Sequence, residues 1–343
     1  MKRIPSAVVG SVVKEPNQGA GPDFLVSVSL PPREKQSLIA EVKSAGEPRI
    51  AREAVNQLLR YCESRPGSYG VFVAPYISPR AAEICEKEGI GYVDLAGNCR
   101  LSFGHVYIEQ QGTPNPFSQH RELRSIYSPK AVRVLRVLLR EPQRIWKMQD
   151  LAREAGVSVG HVANVKERLS DQEWISTASG GLSLRDSGSV LKEWSRFYSY
   201  RKNVVRNFYS MKSVPEMEAD LAKLCSEEEI GYALTGFSGA SRYAPSVRHH
   251  RAMAYMNAIT DATITGLELK EVPSGANMTL LVPYDEGIYY DMRVIDGVRV
   301  TSPIQTYLDL VSFRGRGEEA AQVLLDEVIK PAWPPGEITP EKQ

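Results

Sequence analysis

The middle of the chain most constrains its fold, because three helical patterns follow one another there with almost no connecting sequence. PKAVRVLRVLLREP predicts an amphipathic helix that stops near Pro142, and IWKMQDLAREAG predicts a second closed by Gly156. The short turn VSVG leads directly into a third, in which Ser158 is placed as the N-cap and Val162, Val165 and Leu169 recur at spacings of three and four. Helices this short are stable only if each buries its single apolar stripe against the other two. The next stretch, WISTASGGLSLRD, alternates as a β-hairpin does, with Gly180 and Gly181 at its tip.

Three helices with a tight turn before the third, followed by a hairpin, predict a winged helix-turn-helix over 120–192, with its clearest part between Ser128 and Leu191. Charge points the same way. Residues 120–206 carry 17 Lys and Arg against 9 Asp and Glu, whereas 207–343 carry 12 against 20 and 1–119 carry 13 against 12. A basic module is where a polyanion docks, since phosphate neutralisation supplies most non-specific DNA affinity. Within the third helix the expected DNA contacts are Ser158, Gly160, His161, Asn164, Lys166 and Arg168. Asn pairs bidentately with adenine, Lys and Arg meet guanine or phosphate, and Gly160 lets the helix start come close to the backbone. The competing reading of this face is a solvated helix surface or a protein-docking module.

At 343 residues the chain exceeds one ordinary core, and the expected division is 1–112, 120–192 and 193–335, with Gln110–His120 as the first linker. No apolar run approaches the roughly 18 residues of a membrane span. The N-terminus lacks a signal-peptide pattern, and the expected location is the cytoplasm. Cys62, Cys85, Cys99 and Cys225 are scattered in apolar contexts without metal-ligand spacing and read as reduced, buried thiols.

The first segment alternates β-like and helical runs, which predicts a small α/β domain with a core helix from about Arg49 to Ser64, whose stripe is Ile50, Ala54, Leu58 and Tyr61. In it, Pro22-Asp23 opens one strand and Glu41-Val42-Lys43 closes the next, 18 residues on. Glu41 and Lys43, two apart, share a strand face, and a hairpin through PPREK brings Asp23 beside them. Two carboxylates and a lysine so placed hold Mg²⁺ and position a water for attack on a phosphodiester, with Gln57 orienting that water. The metal ligands expected are Asp23 and Glu41. The bland alternative is a turn former beside an exposed strand-end pair. This arrangement resembles the PD-(D/E)xK superfamily of restriction-endonuclease-like folds over 1 to about 110. It lacks the usual leading core helix, since about six residues precede the first strand. Asp94 and Asn98 in YVDLAGN are expected to form an Asx-turn with Gly97.

The last segment reads as α+β, reached through an aromatic and basic helix from about Glu193 to Met211. TGFSGASRYAP, Thr235 to Pro245, resembles the Gly-Ser signature of the nucleotidyltransferase fold. The following strand, RAMAYMN, lacks the acidic pair that such catalysis needs, so this domain is expected to be inert. His249 and His250 read as a basic surface loop.

Taken together, SPKAVRVLRVLL, DLAREAGVSVGHVANVKERL, YALTGFSGASRYAP and TSPIQTYLDLVSFRGRGEEAAQVLLDEVIKPAW resemble the AbiEi-type antitoxin and transcriptional-regulator family of type IV toxin–antitoxin systems, over about 128–333. That resemblance implies repression of its own operon through the winged helix and an inert nucleotidyltransferase-like domain acting against a nucleotidyltransferase-type toxin. Its winged helix usually stands near the N-terminus, whereas here a nuclease-like domain precedes it. The expected partners are double-stranded DNA, such a toxin and a second copy of the chain. Two functions follow as expectations: a DNA-binding regulator, or a Mg²⁺-dependent DNA nuclease targeted by the winged helix.

Overall fold

A computed structural model describes residues 8–14, 21–30, 34–117, 126–177, 180–244, 250–313 and 315–333. His249, the last residues of the expected linker and the C-terminal PPGEITPEKQ lie outside them. The chain divides into two compact units, one drawn from 1–123 with 167–173, the other from 124–166 with 174–343. The segments expected as 120–192 and 193–335 thus fall largely within one unit.

The first unit is a seven-stranded sheet in sequential order: β1 (Val8–Lys14), β2 (Phe24–Leu30), β3 (Glu34–Val42), β4 (Ser68–Ala74), β5 (Gly91–Asp94), β6 (Cys99–Phe103) and β7 (Val106–Gln110). Strands β1 to β3 are antiparallel, β3 to β5 parallel, and β5 to β7 antiparallel again. The two parallel steps are bridged by α1 (Pro48–Ser64) and α2 (Pro79–Lys87), as parallel strands require a crossover. The period of two sends alternate residues to opposite faces. Ile39 and Phe72 pack with Ala54, Val55, Leu58 and Ile84, while their neighbours Leu38 and Val71 pack with Val28, Leu101 and Phe103. The expected stripe of α1 is rotated slightly: Ala51 and Val55 are buried with Ala54 and Leu58, and Ile50 and Tyr61 flank them.

In the second unit α3 (Pro129–Arg140), α4 (Met148–Glu154) and α5 (Val159–Asp171) match the three sequence patterns; the last residues of α5 belong to the first unit. Val162, Val165 and Leu169 are buried, as their spacing requires. Strands β8 (Ile175–Ser176) and β9 (Ser183–Leu184) form the hairpin, and Trp146 extends it by exchanging backbone hydrogen bonds of 2.8 and 2.9 Å with Leu182.

The helix expected over Glu193–Met211 is present only as far as Phe197. Helix α6 (Ser187–Phe197) ends where Tyr198 turns its hydroxyl into the interior, and Val204–Tyr209 is strand β10. The run VVRNFY is rich in β-branched and aromatic residues, and pairing with a neighbouring strand outweighs its helical spacing. Phe208 is buried on the core face. That neighbour is β14 (Met278–Val282), in a sheet with β11 (Tyr232–Leu234), β12 (Ala252–Met256), β13 (Lys270–Glu271), β15 (Arg293–Ile295) and β16 (Val298–Val300). The order is β13-β10-β14-β12-β11-β16-β15. Around it lie α7 (Val214–Glu227), α8 (Gly236–Tyr243), α9 (Asp261–Gly266), α10 (Pro303–Val311), α11 (Arg316–Leu324), a π turn at Leu325–Ile329 and α12 (Lys330–Ala332). Leu221, Leu234, Ala254 and Leu280 are among the residues of its core.

Candidate functional site

The first unit brings its four expected site residues together. Pairing of Phe24 with Ala40 sets the β2–β3 register, so the residue before Phe24 reaches the end of β3: the Val42 amide donates to Asp23 Oδ2 at 2.8 Å. Lys43 Nζ donates to Glu41 Oε1 and to Gln57 Oε1, both at 2.7 Å. Gln57 reaches across from α1, one turn before Tyr61, whose hydroxyl is pushed up chiefly by burial and next by the Glu41 charge. The Gln57 carbonyl therefore holds the ammonium, where the sequence suggested that it orients a water. Glu41 is buried, and its second oxygen, Oε2, has no hydrogen-bond partner. A buried carboxylate oxygen without a donor is costly. Two carboxylates suit Mg²⁺, which keeps several waters and takes one or two protein carboxylates with substrate phosphates. Among the described residues no group of three or more His, Cys, Asp or Glu side chains is placed to hold a metal ion.

Asp94 and Asn98 are structural, as their turn signature indicates. Asp94 Oδ1 accepts from the amides of Gly97 and Asn98, both at 2.8 Å, and Oδ2 from the Ile77 amide and the Asn98 side chain. Asn98 also clasps Thr113 through both its amide oxygen and nitrogen, tying down the start of the expected linker. Gly97 has a φ of +106°, which strains any residue with a Cβ. The thiols of Cys85 and Cys225 are pushed up to about 12 and about 11 by burial, as suits inert structural cysteines.

On α5, Ser158, Gly160, His161 and Asn164 are exposed. Ser158 Oγ accepts from the His161 amide at 3.3 Å and lies 3.0 Å from its Nδ1, so the serine caps the helix and orients the imidazole. A Cβ on Gly160 meets nothing closer than 3.9 Å, so this glycine leaves the helix start bare without being required by packing. Lys166 departs from the expected surface. It stands two residues after Asn164, about 200° around the helix, beside the buried stripe, and is half-buried.

The Gly-Ser signature of the C-terminal segment is committed to packing. Gly236 has a φ of +55°, and a Cβ there meets Met253 Sδ at 2.7 Å. Ser238 is buried and accepts from the Met253 amide at 3.0 Å. Strand β12 is buried throughout and contains no acidic residue.

Sequence reading missed a buried polar network in this unit. Asp309, 0% exposed, accepts from the hydroxyls of Tyr198, Tyr255 and Thr235; burial pushes its carboxyl up while these donors oppose the shift. Gln305 donates to Tyr198 at 2.8 Å and accepts from Arg136 of α3. Arg136 also donates to the Gly287 carbonyl at 2.7 Å and lies 5.0 Å from the Trp194 ring. Beside it, Arg133 makes a two-pronged pair with Asp285, and the Trp333 indole donates to the Leu139 carbonyl at 2.8 Å. The signals were in the sequence as charges inside apolar helical runs: Arg136 in VLRVLL and Asp309 in TYLDLV.

No helix among the described residues is long and apolar enough to cross a membrane. No curated protein and no solved structure matches the chain. A family model does: residues 183–330, from strand β9 of the hairpin through the second sheet to the π turn, match the family described as "Transcriptional regulator, AbiEi antitoxin, Type IV TA system".

Proposed function

We propose that the chain is a DNA-binding transcriptional regulator of the AbiEi antitoxin type, reading double-stranded DNA in the cytoplasm through a winged helix formed by α3 to α5 and the β8–β9 hairpin. The observation that carries this is the family match over 183–330, since the matched family is one of transcriptional regulators. The exposed Ser158–Asn164 edge of α5 supports it as the groove-reading surface, with Asn164 and His161 toward base edges and Arg168 toward phosphates. The segment from β10 onward is the antitoxin part, inert as a nucleotidyltransferase because β12 lacks acidic residues. Its partner is then a nucleotidyltransferase-type toxin, and a second copy of the chain pairs the two half-sites of an operator.

The test is a fluorescence-anisotropy titration on a duplex selected from a random pool. Asn164→Ala is expected to weaken binding about tenfold, within the roughly 1–3 kcal/mol of a bidentate base contact. Arg168→Ala is expected to lower the salt slope by about one. Unchanged affinity and slope in both variants overturn the assignment.

A second reading is favoured by the buried, unpartnered Oε2 of Glu41 in the cluster of Asp23, Lys43 and Gln57. In it the first unit is a Mg²⁺-dependent DNA nuclease of PD-(D/E)xK type. Asp23 and Glu41 would hold the metal, Lys43 would sit beside the reacting phosphate, and Gln57 keeps the ammonium in place. The chemistry that Mg²⁺ would supply there is positive charge at a phosphodiester oxygen and acidification of a water. Plasmid nicking in Mg²⁺ or Mn²⁺ that disappears in Glu41→Gln supports this reading; intact plasmid with folded full-length protein removes it.

A further inference from the structure

Both carboxylates of the first unit's cluster spend one oxygen inside the chain and keep the other. Asp23 Oδ2 accepts from the Val42 amide at 2.8 Å, and Glu41 Oε1 accepts from Lys43 Nζ at 2.7 Å. Glu41 Oε2 is buried without a partner, and among the described residues nothing donates to Asp23 Oδ1. The two backbones are held differently. Glu41 lies within β3, flanked by β2 on one side and paired with Phe72 of β4 on the other. Asp23 stands just before β2, where no strand ladder fixes it.

The missing restraint comes from α1. The Tyr61 hydroxyl donates to the Gly21 carbonyl, forty residues back, at 3.1 Å. Only Pro22 separates Gly21 from Asp23; it is buried, and its ring fixes φ near −65°, so a tie at Gly21 carries through to Asp23. Tyr61 follows Gln57 by four residues, which places both on one face of α1, a turn apart. From that face Gln57 holds the Lys43 ammonium at the end of β3, and Tyr61 holds the approach to β2. The Tyr61 ring packs at the margin of the α1 core, which needs no hydroxyl. Burial first, and next the Glu41 charge, keep that hydroxyl protonated and able to donate. We propose that Tyr61 is a positioning residue: through Gly21 and Pro22 it holds Asp23 beside Glu41, so that their two uncommitted oxygens share one divalent cation. This role rests on the nuclease reading of the first unit. Groups that orient a metal's ligands typically contribute about 10–100-fold to its affinity.

The test is a Mn²⁺ titration of the full chain followed by electron paramagnetic resonance, with amide exchange at Val42 read in the metal-free protein. The site is identified as the one lost in Glu41→Gln. Tyr61→Phe keeps the ring and removes only the hydroxyl. It is expected to weaken Mn²⁺ binding at that site at least about tenfold and to speed exchange at Val42, whose amide proton Asp23 accepts. Exchange at Leu58 and Phe72, in the α1 and β4 core, is expected to match the wild type and so reports that the unit is folded. Unchanged Mn²⁺ affinity in Tyr61→Phe overturns the positioning role and leaves the nuclease reading standing. Weakened affinity with unaltered Val42 exchange also overturns it, because Tyr61 then acts by a route other than Asp23. Mn²⁺ binding that responds to Tyr61→Phe as expected, in a protein that nicks no plasmid, removes the nuclease reading and supports the role of Tyr61. A wild-type chain that binds no Mn²⁺ overturns both.

Discussion

Replacing Arg136 with methionine removes one buried guanidinium while keeping a side chain of similar length, and so isolates the polar contribution of the contact between α3 and the α10 network. Arg136 is 4% exposed, donates to the Gly287 carbonyl and the Gln305 amide oxygen, and lies over Trp194. Hydrogen bonds from a charged donor contribute about 1.5–3 kcal/mol each, and a desolvated cation–π contact up to about 2. Against this stands the relief of burying a cation whose Nη1 has no partner. The net expectation is a loss of about 2–4 kcal/mol. For a unit of this size that lowers the melting temperature by roughly 5–12 °C. The assay has an internal convenience: the four tryptophans, Trp146, Trp174, Trp194 and Trp333, all belong to the second unit, so intrinsic fluorescence follows that unit alone. A melt of Arg136→Met within about 1 °C of the wild type refutes the reasoning, since by the same scaling it leaves well under 1 kcal/mol for the whole contact.

Asp309→Asn tests the core of the same network. Burial raises the Asp309 carboxyl above its ordinary 3.8, so the folded state favours the proton; that contribution is fully present below 3.8 and is lost as pH rises through the raised value. Urea midpoints from tryptophan fluorescence are therefore expected to show wild type losing ground to Asp309→Asn as pH climbs above 3.8, and a pH-independent difference counts against it. In the first unit, Asp94→Ala deletes the acceptor for three backbone amides and is expected to cost about 2–4 kcal/mol, with faster amide exchange at Ile77, Gly97 and Asn98; unaltered exchange there contradicts the clasp. Leu58→Ala, in the α1 core, is expected to cost about 2–5 kcal/mol by urea unfolding followed by amide exchange in that unit, and an unchanged midpoint contradicts the packing.

Local pattern was sufficient wherever one face of an element is buried. The valine and leucine stripe of α5, the serine at its start and the alternation around Ile39 and Phe72 each have one low-energy environment, and each is found in it. Pattern failed at Glu193–Met211, where VVRNFY satisfies helical and extended spacing alike and only the neighbouring Met278–Val282 strand selects between them. It also failed at Lys166, where residue type suggested a phosphate contact but helical geometry turns the side chain away from Asn164.

The sequence alone determined the three close-set helices, their hairpin, the Asp23–Glu41–Lys43 spacing and the absence of acidic residues in Arg251–Asn257, because each is a property of a few consecutive residues. The tertiary structure decided what those residues meet. It brought Gln57 onto Lys43 rather than onto a water, left one Glu41 oxygen buried and unpartnered, and joined Arg136 to Asp309 through Gln305 and Tyr198. Contacts between residues 14 to more than 150 positions apart are set by how sheets and helices pack, and no local periodicity encodes them.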